Sequence, residues 1–279
     1  MSSHNLIAAY DATEEAADGL ALAHLLAERL GSELVVARVL TSDANPVVTD
    51  RGRQQAIRDV VGETRRAIVA ALPAEGSAEV MPVVDASVAR GLHDLARVEE
   101  AEAIVVGSSH HGRLGRVLLG GGPEIVANSS PCPVFVAPPG FRDGGRLEAG
   151  HVTAAYDGTP SAREALHYAT GLAERLGTAL RIAAVAPTGL SRPIGGAPDV
   201  AAALEEGRSL AGEWSEGRVD VETKELRGDP AHELTAAAAD GLLVVGSRGH
   251  GALRRVLLGS VSAAVLRAAH GPAVVVAAP

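Results

Sequence analysis

The sequence predicts an α/β protein of two tandem domains, each a five-stranded parallel sheet with helices on both faces. Three observations predict it. The chain repeats itself once along its length, strand-like and helix-like segments alternate within each copy, and the apolar residues are aliphatic. Of 279 residues, 47% are hydrophobic but only 2% are aromatic, so Val, Leu, Ile and Ala must build the core. Aliphatic runs of this kind suit parallel strands covered on both sides.

The repeat is read directly. Ala8-Ala9-Tyr10-Asp11-Ala12-Thr13 returns as Ala154-Ala155-Tyr156-Asp157-Gly158-Thr159. Leu26-Ala27-Glu28-Arg29-Leu30-Gly31 returns without a gap as Leu172-Ala173-Glu174-Arg175-Leu176-Gly177, and Val117-Leu118-Leu119-Gly120 as Val256-Leu257-Leu258-Gly259. A period this long marks duplication of a whole domain rather than a short solenoid unit. The expected domains are 1–140 and 151–279. The seam falls in 138–150, where Pro139-Gly140 and Gly144-Gly145 interrupt the apolar pattern.

In the first copy strands are expected over 5–10, 33–39, 79–84, 102–107 and 133–137. In the second they are expected over 152–156, 179–185, 219–226, 241–246 and 273–277. Helical periodicity fills the gaps, as in Ala16, Leu20, Ala23, Ala27 and Leu30 on one face, and Gly31 and Gly177 read as stops just beyond those helices. Strands separated by helices imply right-handed crossovers and a parallel sheet, whose ligands bind beyond the carboxyl ends of the strands. Asp11 and Asp157 close the first strands, Val39 and Val185 the second, and glycine-rich loops follow the fourth. All three loops therefore open on one edge.

Composition removes several classes of function. A net charge of −9 argues against nucleic acid as a bulk partner. Lys224 is the only lysine, so the Gly-Lys-Ser/Thr core of a Walker A loop is absent. Cys132 is the only cysteine, which excludes an intrachain disulfide and a thiolate cage and reads as a buried, inert thiol. No basic, apolar leader opens the sequence and no run approaches ~18 uninterrupted apolar residues, so no membrane partner is expected and a reducing cytoplasm is the expected location.

The loop after the fourth strand of the second copy carries the chemistry. Gly246-Ser247-Arg248-Gly249 is followed, after nine residues, by Gly259-Ser260-Val261-Ser262. Gly246 and Gly249 would let the chain turn out of the strand and an anion approach the backbone. Gly259, Ser260, Val261 and Ser262 would supply amides and two hydroxyls at a helix start carrying roughly half a positive charge. The alternative is that glycines ending strands are ordinary punctuation.

With that spacing in place, the second copy resembles the universal stress proteins, whose ATP-binding members carry G-x2-G-x9-G-[S/T]. The residues concerned are Gly246, Gly249, Gly259 and Ser260, with Val261 and Ser262 continuing the phosphate loop. The resemblance implies that Asp157 meets the nucleotide at the end of the first strand and that Val185 meets adenine through its backbone. It implies a strand order of 3-2-1-4-5 in each half, with ATP, alone or with Mg2+, as the ligand. The two halves would form an intramolecular pseudo-symmetric pair covering their fifth-strand edges. Whether that pair dimerises further, and which proteins it meets, stays open.

The first copy departs from the pattern. His110 stands where the second glycine belongs, and Gly121-Gly122-Pro123 replace Ser-Val-Ser, removing two hydroxyls and one amide. Asp11, Val39, Gly107 and Gly120 are the weaker candidates there, with weaker nucleotide binding expected or none.

His111 and His250 occupy equivalent positions, each either a solvent-exposed loop histidine or a partner for phosphate. Arg248, Arg254 and Arg255, like Arg116 in the first copy, are either phosphate ligands or surface charges. The alternative for Asp11 and Asp157 is a turn contact or cap for the next helix. No catalytic group and no metal site emerges; His250 is the one candidate for assisting hydrolysis. The expected function is a nucleotide-responsive stress protein, against a nucleotide-free partner-binding protein or a slow ATP hydrolase.

Overall fold

A computed structural model describes residues 5–41, 50–71, 78–108, 122–145, 147, 150–188, 199–247 and 258–277. The chain divides into two compact units, Met1–Val126 with Ser130–Arg146, and Leu147–Pro279 with Ala127–Ser129. The N-terminal unit runs β1 (Asn5–Ala9), α1 (Glu14–Leu30), β2 (Glu33–Thr41), α2 (Asp50–Ala71), β3 (Glu79–Asp85), α3 (Val88–Val98), β4 (Ala103–Gly107), α4 (Pro123–Ala127) and β5 (Val134–Ala137). A short 3-10 turn, Phe141–Asp143, follows. The C-terminal unit runs β6 (His151–Ala155), α5 (Pro160–Leu176), β7 (Ala179–Pro187), α6 (Val200–Trp214), β8 (Val221–Gly228), α7 (Pro230–Ala237), β9 (Leu242–Gly246), α8 (Ser260–Ala268) and β10 (Ala273–Val276).

Strand order is β3-β2-β1-β4-β5 in the first unit and β8-β7-β6-β9-β10 in the second, so both follow the 3-2-1-4-5 plan. Every neighbouring pair within a unit is parallel. The central strands are buried throughout, including Leu6, Ile7 and Ala8 in β1 and Ala103, Ile104 and Val105 in β4. The outer strand β8 instead exposes Glu222, Lys224, Glu225 and Arg227, charges that discourage another chain from pairing with that edge. Among the described residues no helix is long and apolar enough to cross a membrane. Burial pushes the Cys132 thiol up to about 11, against weaker lowering contacts from Ser130 and the Ile104 backbone, so the thiolate is disfavoured.

The first helix of each unit is bounded as its sequence dictates. Thr13 and Thr159 lie in extended conformation and their hydroxyls accept from the amides of Ala16 and Ala162, each at 3.2 Å. Gly31 and Gly177 close the helices in the left-handed region, with φ of 68° and 64°. Before each helix the chain passes through a further left-handed residue. In the second unit it is Gly158, with φ of 78°; in the first it is Ala12, with φ of 68°, which carries the steric cost that glycine avoids.

These helices then press onto the end of the fourth strand in each order. A Cβ on Gly107 would lie 1.7 Å from the Glu15 carbonyl oxygen, and one on Gly246 would lie 2.5 Å from Ser161 Oγ and 2.6 Å from its carbonyl oxygen. The glycines at 107 and 246 are therefore required by the closeness of a helix backbone. Neither has a positive φ, so the chain leaves β9 at Gly246 without a left-handed torsion there.

Thr153 in β6 is fully buried and its hydroxyl has no hydrogen-bond partner, where the first copy places Ile7. Thr153→Val should therefore raise stability by about 1 kcal/mol or more in urea titration, because it removes an unsatisfied hydroxyl without changing shape. Ala12→Gly should gain roughly 1 kcal/mol by relieving the left-handed conformation. Gly246→Ala should cost about 1–3 kcal/mol as the helix is pushed off the strand. Gly171→Ala in the same helix, where a Cβ meets nothing within 4 Å, should gain up to about 1 kcal/mol.

Candidate functional site

The carboxyl ends of β6, β7 and β9 bring together three stretches of the second unit. At the first, β6 gives way to Tyr156 and Asp157. Asp157 is exposed, and its Oδ1 accepts from the Thr159 amide at 3.1 Å and from the Thr159 hydroxyl at 2.6 Å. This is the turn contact foreseen as the alternative role for this residue, while the helix cap itself is Thr159. Asp11 does the same in the first unit, accepting from the Thr13 amide at 3.1 Å and its hydroxyl at 2.5 Å.

At the second, β7 outruns β6. The last bond between them is donated by the Tyr156 amide to the Ala183 carbonyl at 2.9 Å. Residues along a parallel strand face alternate neighbours, so Ala184 turns to β8 and Val185 turns its amide and carbonyl to the space beyond β6. Val39 is placed equivalently in the first unit, where Tyr10 donates to Ala37 at 2.9 Å. There the guanidinium of Arg38 also donates to the Tyr10 carbonyl at 3.3 Å, a contact for which the second unit has only Ala184.

At the third, the chain leaves β9 at Gly246 and re-enters the described structure at α8. The Ser247 amide donates to Val276 at 2.8 Å, and the Gly259 amide donates to Ser247 at 2.7 Å, which fastens the helix start to the strand end. Gly259 is the N-cap and offers no side chain, and the first turn carries no acidic residue. The first amide bonded back into the helix is that of Ala263, to Gly259 at 2.9 Å. The amides of Ser260, Val261 and Ser262 thus have no carbonyl four residues behind them within the helix. The other three helices of this unit cap themselves with side chains: Thr159, Asp199 and Asp229 accept from Ala162, Ala202 and His232.

Ser262 corrects one expectation. It is buried and its hydroxyl donates to the Gly246 carbonyl at 2.6 Å, so that proton braces the loop and is not offered outward. Ser260 and Val261 are exposed. Gly249, His250, Arg248, Arg254 and Arg255 lie outside the described residues, as do Gly120, His110, His111 and Arg116 of the first unit.

In the first unit the matching helix starts later. α4 begins at Pro123, the position equivalent to Ser262, and Gly122 accepts from Ile125 and Val126 at 2.9 and 3.1 Å. Proline there has neither the amide nor the hydroxyl, so the brace made by Ser262 has no equivalent.

Sequence reasoning missed the polar group beside this edge. The ring of Tyr156 is buried: a Cβ on Gly207 of α6 would meet it at 3.1 Å. Arg163 of α5 and Glu206 of α6 form an ion pair near its hydroxyl. Burial pushes the phenol up, with Arg163 lowering it and Glu206 raising it. Nothing in the local sequence joins Tyr156 to Glu206, which lies on a later helix.

The comparisons agree with this architecture. A universal stress protein from Mycolicibacterium smegmatis is 33% identical over 236 residues, 80% of this chain and 74% of that protein. The universal stress protein Rv2005c of Mycobacterium tuberculosis is 35% identical over 186 residues, 63% of this chain and 62% of that protein. Among solved structures, a universal stress protein from Archaeoglobus fulgidus DSM 4304 has a TM-score of 0.69 at 23% identity, covering 99% of this chain and 97% of that one. A putative universal stress protein from Pseudomonas aeruginosa UCBPP-PA14 has a TM-score of 0.58 at 15% identity. The model of the universal stress protein family matches residues 3–138 and again 149–277, so the chain belongs to the universal stress protein family and carries its domain twice.

Proposed function

We propose that the C-terminal unit binds ATP, alone or with Mg2+, and that binding alters the surface this cytoplasmic stress protein offers to protein partners. The reading rests on one observation above the others: α8 alone among the described helices of its unit starts without a side-chain cap, its first-turn amides opening beyond β9. Amides so placed, with the positive end of a nine-residue helix behind them, suit phosphate oxygens. Ser260, Val261 and Ser262 would act through their backbone, with Gly259 setting the helix entry and Gly246 letting α5 close on the strand. The main chain of Val185 offers one donor and one acceptor beyond β6, a pair that matches the edge of a purine. Asp157 would meet the sugar or base from its turn. Gly249 and His250 complete the motif by sequence.

In this reading the N-terminal unit, with Asp11, Val39, Gly107 and Gly120, is the weaker partner. Its helix begins two positions later, at a proline.

Titration calorimetry tests the proposal. Wild type should bind ATP at millimolar concentration or tighter. Ser260→Pro should keep the helix, since proline is accepted at its first position, yet weaken ATP about tenfold by deleting one charge-assisted donor. Gly249→His, which copies the first unit, should weaken it at least as much. No heat with wild type at millimolar ATP would sink the reading in favour of a nucleotide-free partner-binding protein. Steady turnover on the order of 1 s⁻¹ or faster would make the chain an enzyme instead.

A further inference from the structure

Residues at the start of the expected seam, 138–150, are bound down onto the N-terminal unit. Asp18 lies in the second turn of α1 and is 3% exposed. Its two carboxylate oxygens each accept one amide from the segment after β5: Oδ2 from Gly140 at 2.9 Å and Oδ1 from Arg142 at 3.0 Å. Arg142 returns to the helix, donating to the Glu14 carbonyl at 2.9 Å and pairing with the Glu14 carboxylate at 3.3 Å. Phe141, between the two anchored amides, is 6% exposed, and the Gly145 amide closes the turn onto its carbonyl at 2.7 Å.

We propose that residues 138–145 are a strap locked onto α1 by the Asp18 carboxylate, and that this strap docks and lifts as one unit, Asp18 and Phe141 meeting water in the same step. A carboxylate buried on a helix is tolerated only with partners, and the structure gives Asp18 the two strap amides. Lifting the strap must therefore admit water to Asp18 and expose Phe141 together, which makes docking all-or-none. The clasp sits at the unit's sheet mouth: Glu14, which holds Arg142, adjoins Glu15, whose carbonyl presses on Gly107 at the end of β4. The segment leads directly out of Ala137, which accepts from the Ser108 amide at 2.9 Å. At the position equivalent to Asp18 the second copy has Glu164, an exposed residue.

Native-state hydrogen exchange on the full chain tests this independently of any nucleotide. The Gly140 and Arg142 amides should exchange at least about 100-fold slower than in an unstructured peptide. Asp18→Asn replaces one acceptor with a donor and should speed both about tenfold or more, leaving Val105 in β4 unchanged, while trypsin cuts faster after Arg142. Unprotected amides in wild type, or unchanged protection in Asp18→Asn, would overturn the strap. If that variant does not fold, Arg142→Lys keeps a tryptic site but loses the fork on Glu14. It should be cut after residue 142 about threefold faster than wild type at equal global stability, and an unchanged rate would overturn the proposal.

Discussion

The structure depends on how closely the first crossing helix of each unit approaches the end of the fourth strand. Glu15 sits against Gly107 and Ser161 against Gly246, at distances that leave no room for any side chain on the strand. That contact ties the turn after the first strand to the loop after the fourth. The switch point of the sheet is thereby held together by main chain packed on main chain, which has little freedom to relax. The Asp157–Thr159 turn and the brace from Ser262 to Gly246 are each built on one side of it.

The two copies share this frame and differ in what they place upon it. The second keeps glycine in the left-handed turn before its first helix, starts α8 on uncapped amides and fastens that start to the strand twice, through Gly259 and Ser262. The first has alanine in the turn, an arginine reaching the Tyr10 carbonyl, and a proline at the start of its shorter fourth helix. It also carries its own connecting segment folded down upon α1. Duplication lets the two copies keep one frame and differ in the residues placed on it.

Much of this was legible in the residues because the signals were local. Strand and helix alternation, the aliphatic runs and the glycine stops at Gly31 and Gly177 depend on neighbours a few positions away, and all returned in the structure. Strand order came through likeness to a family rather than through periodicity. What could not be read were contacts across long separations. The motif names Ser262 without saying that its proton points inward to Gly246, sixteen positions earlier. Asp18 gives no hint of partners more than a hundred residues away, and the ion pair near Tyr156 needs α5 and α6 side by side. Glycine in a motif is also ambiguous by nature, since a need for unusual torsion and a need for empty space use the same letter.

The charged outer strand of the C-terminal unit has a further consequence. Lys224 is the sole lysine in 279 residues and stands exposed on β8, opposite Ala183 of β7. Acylation of side-chain amines, by enzymes or by reactive metabolites, therefore has a single address on this chain. It would turn the strand's one ammonium, flanked by Glu222 and Glu225, into a neutral amide. The rim of the sheet would become more acidic, one strand away from Val185 of β7.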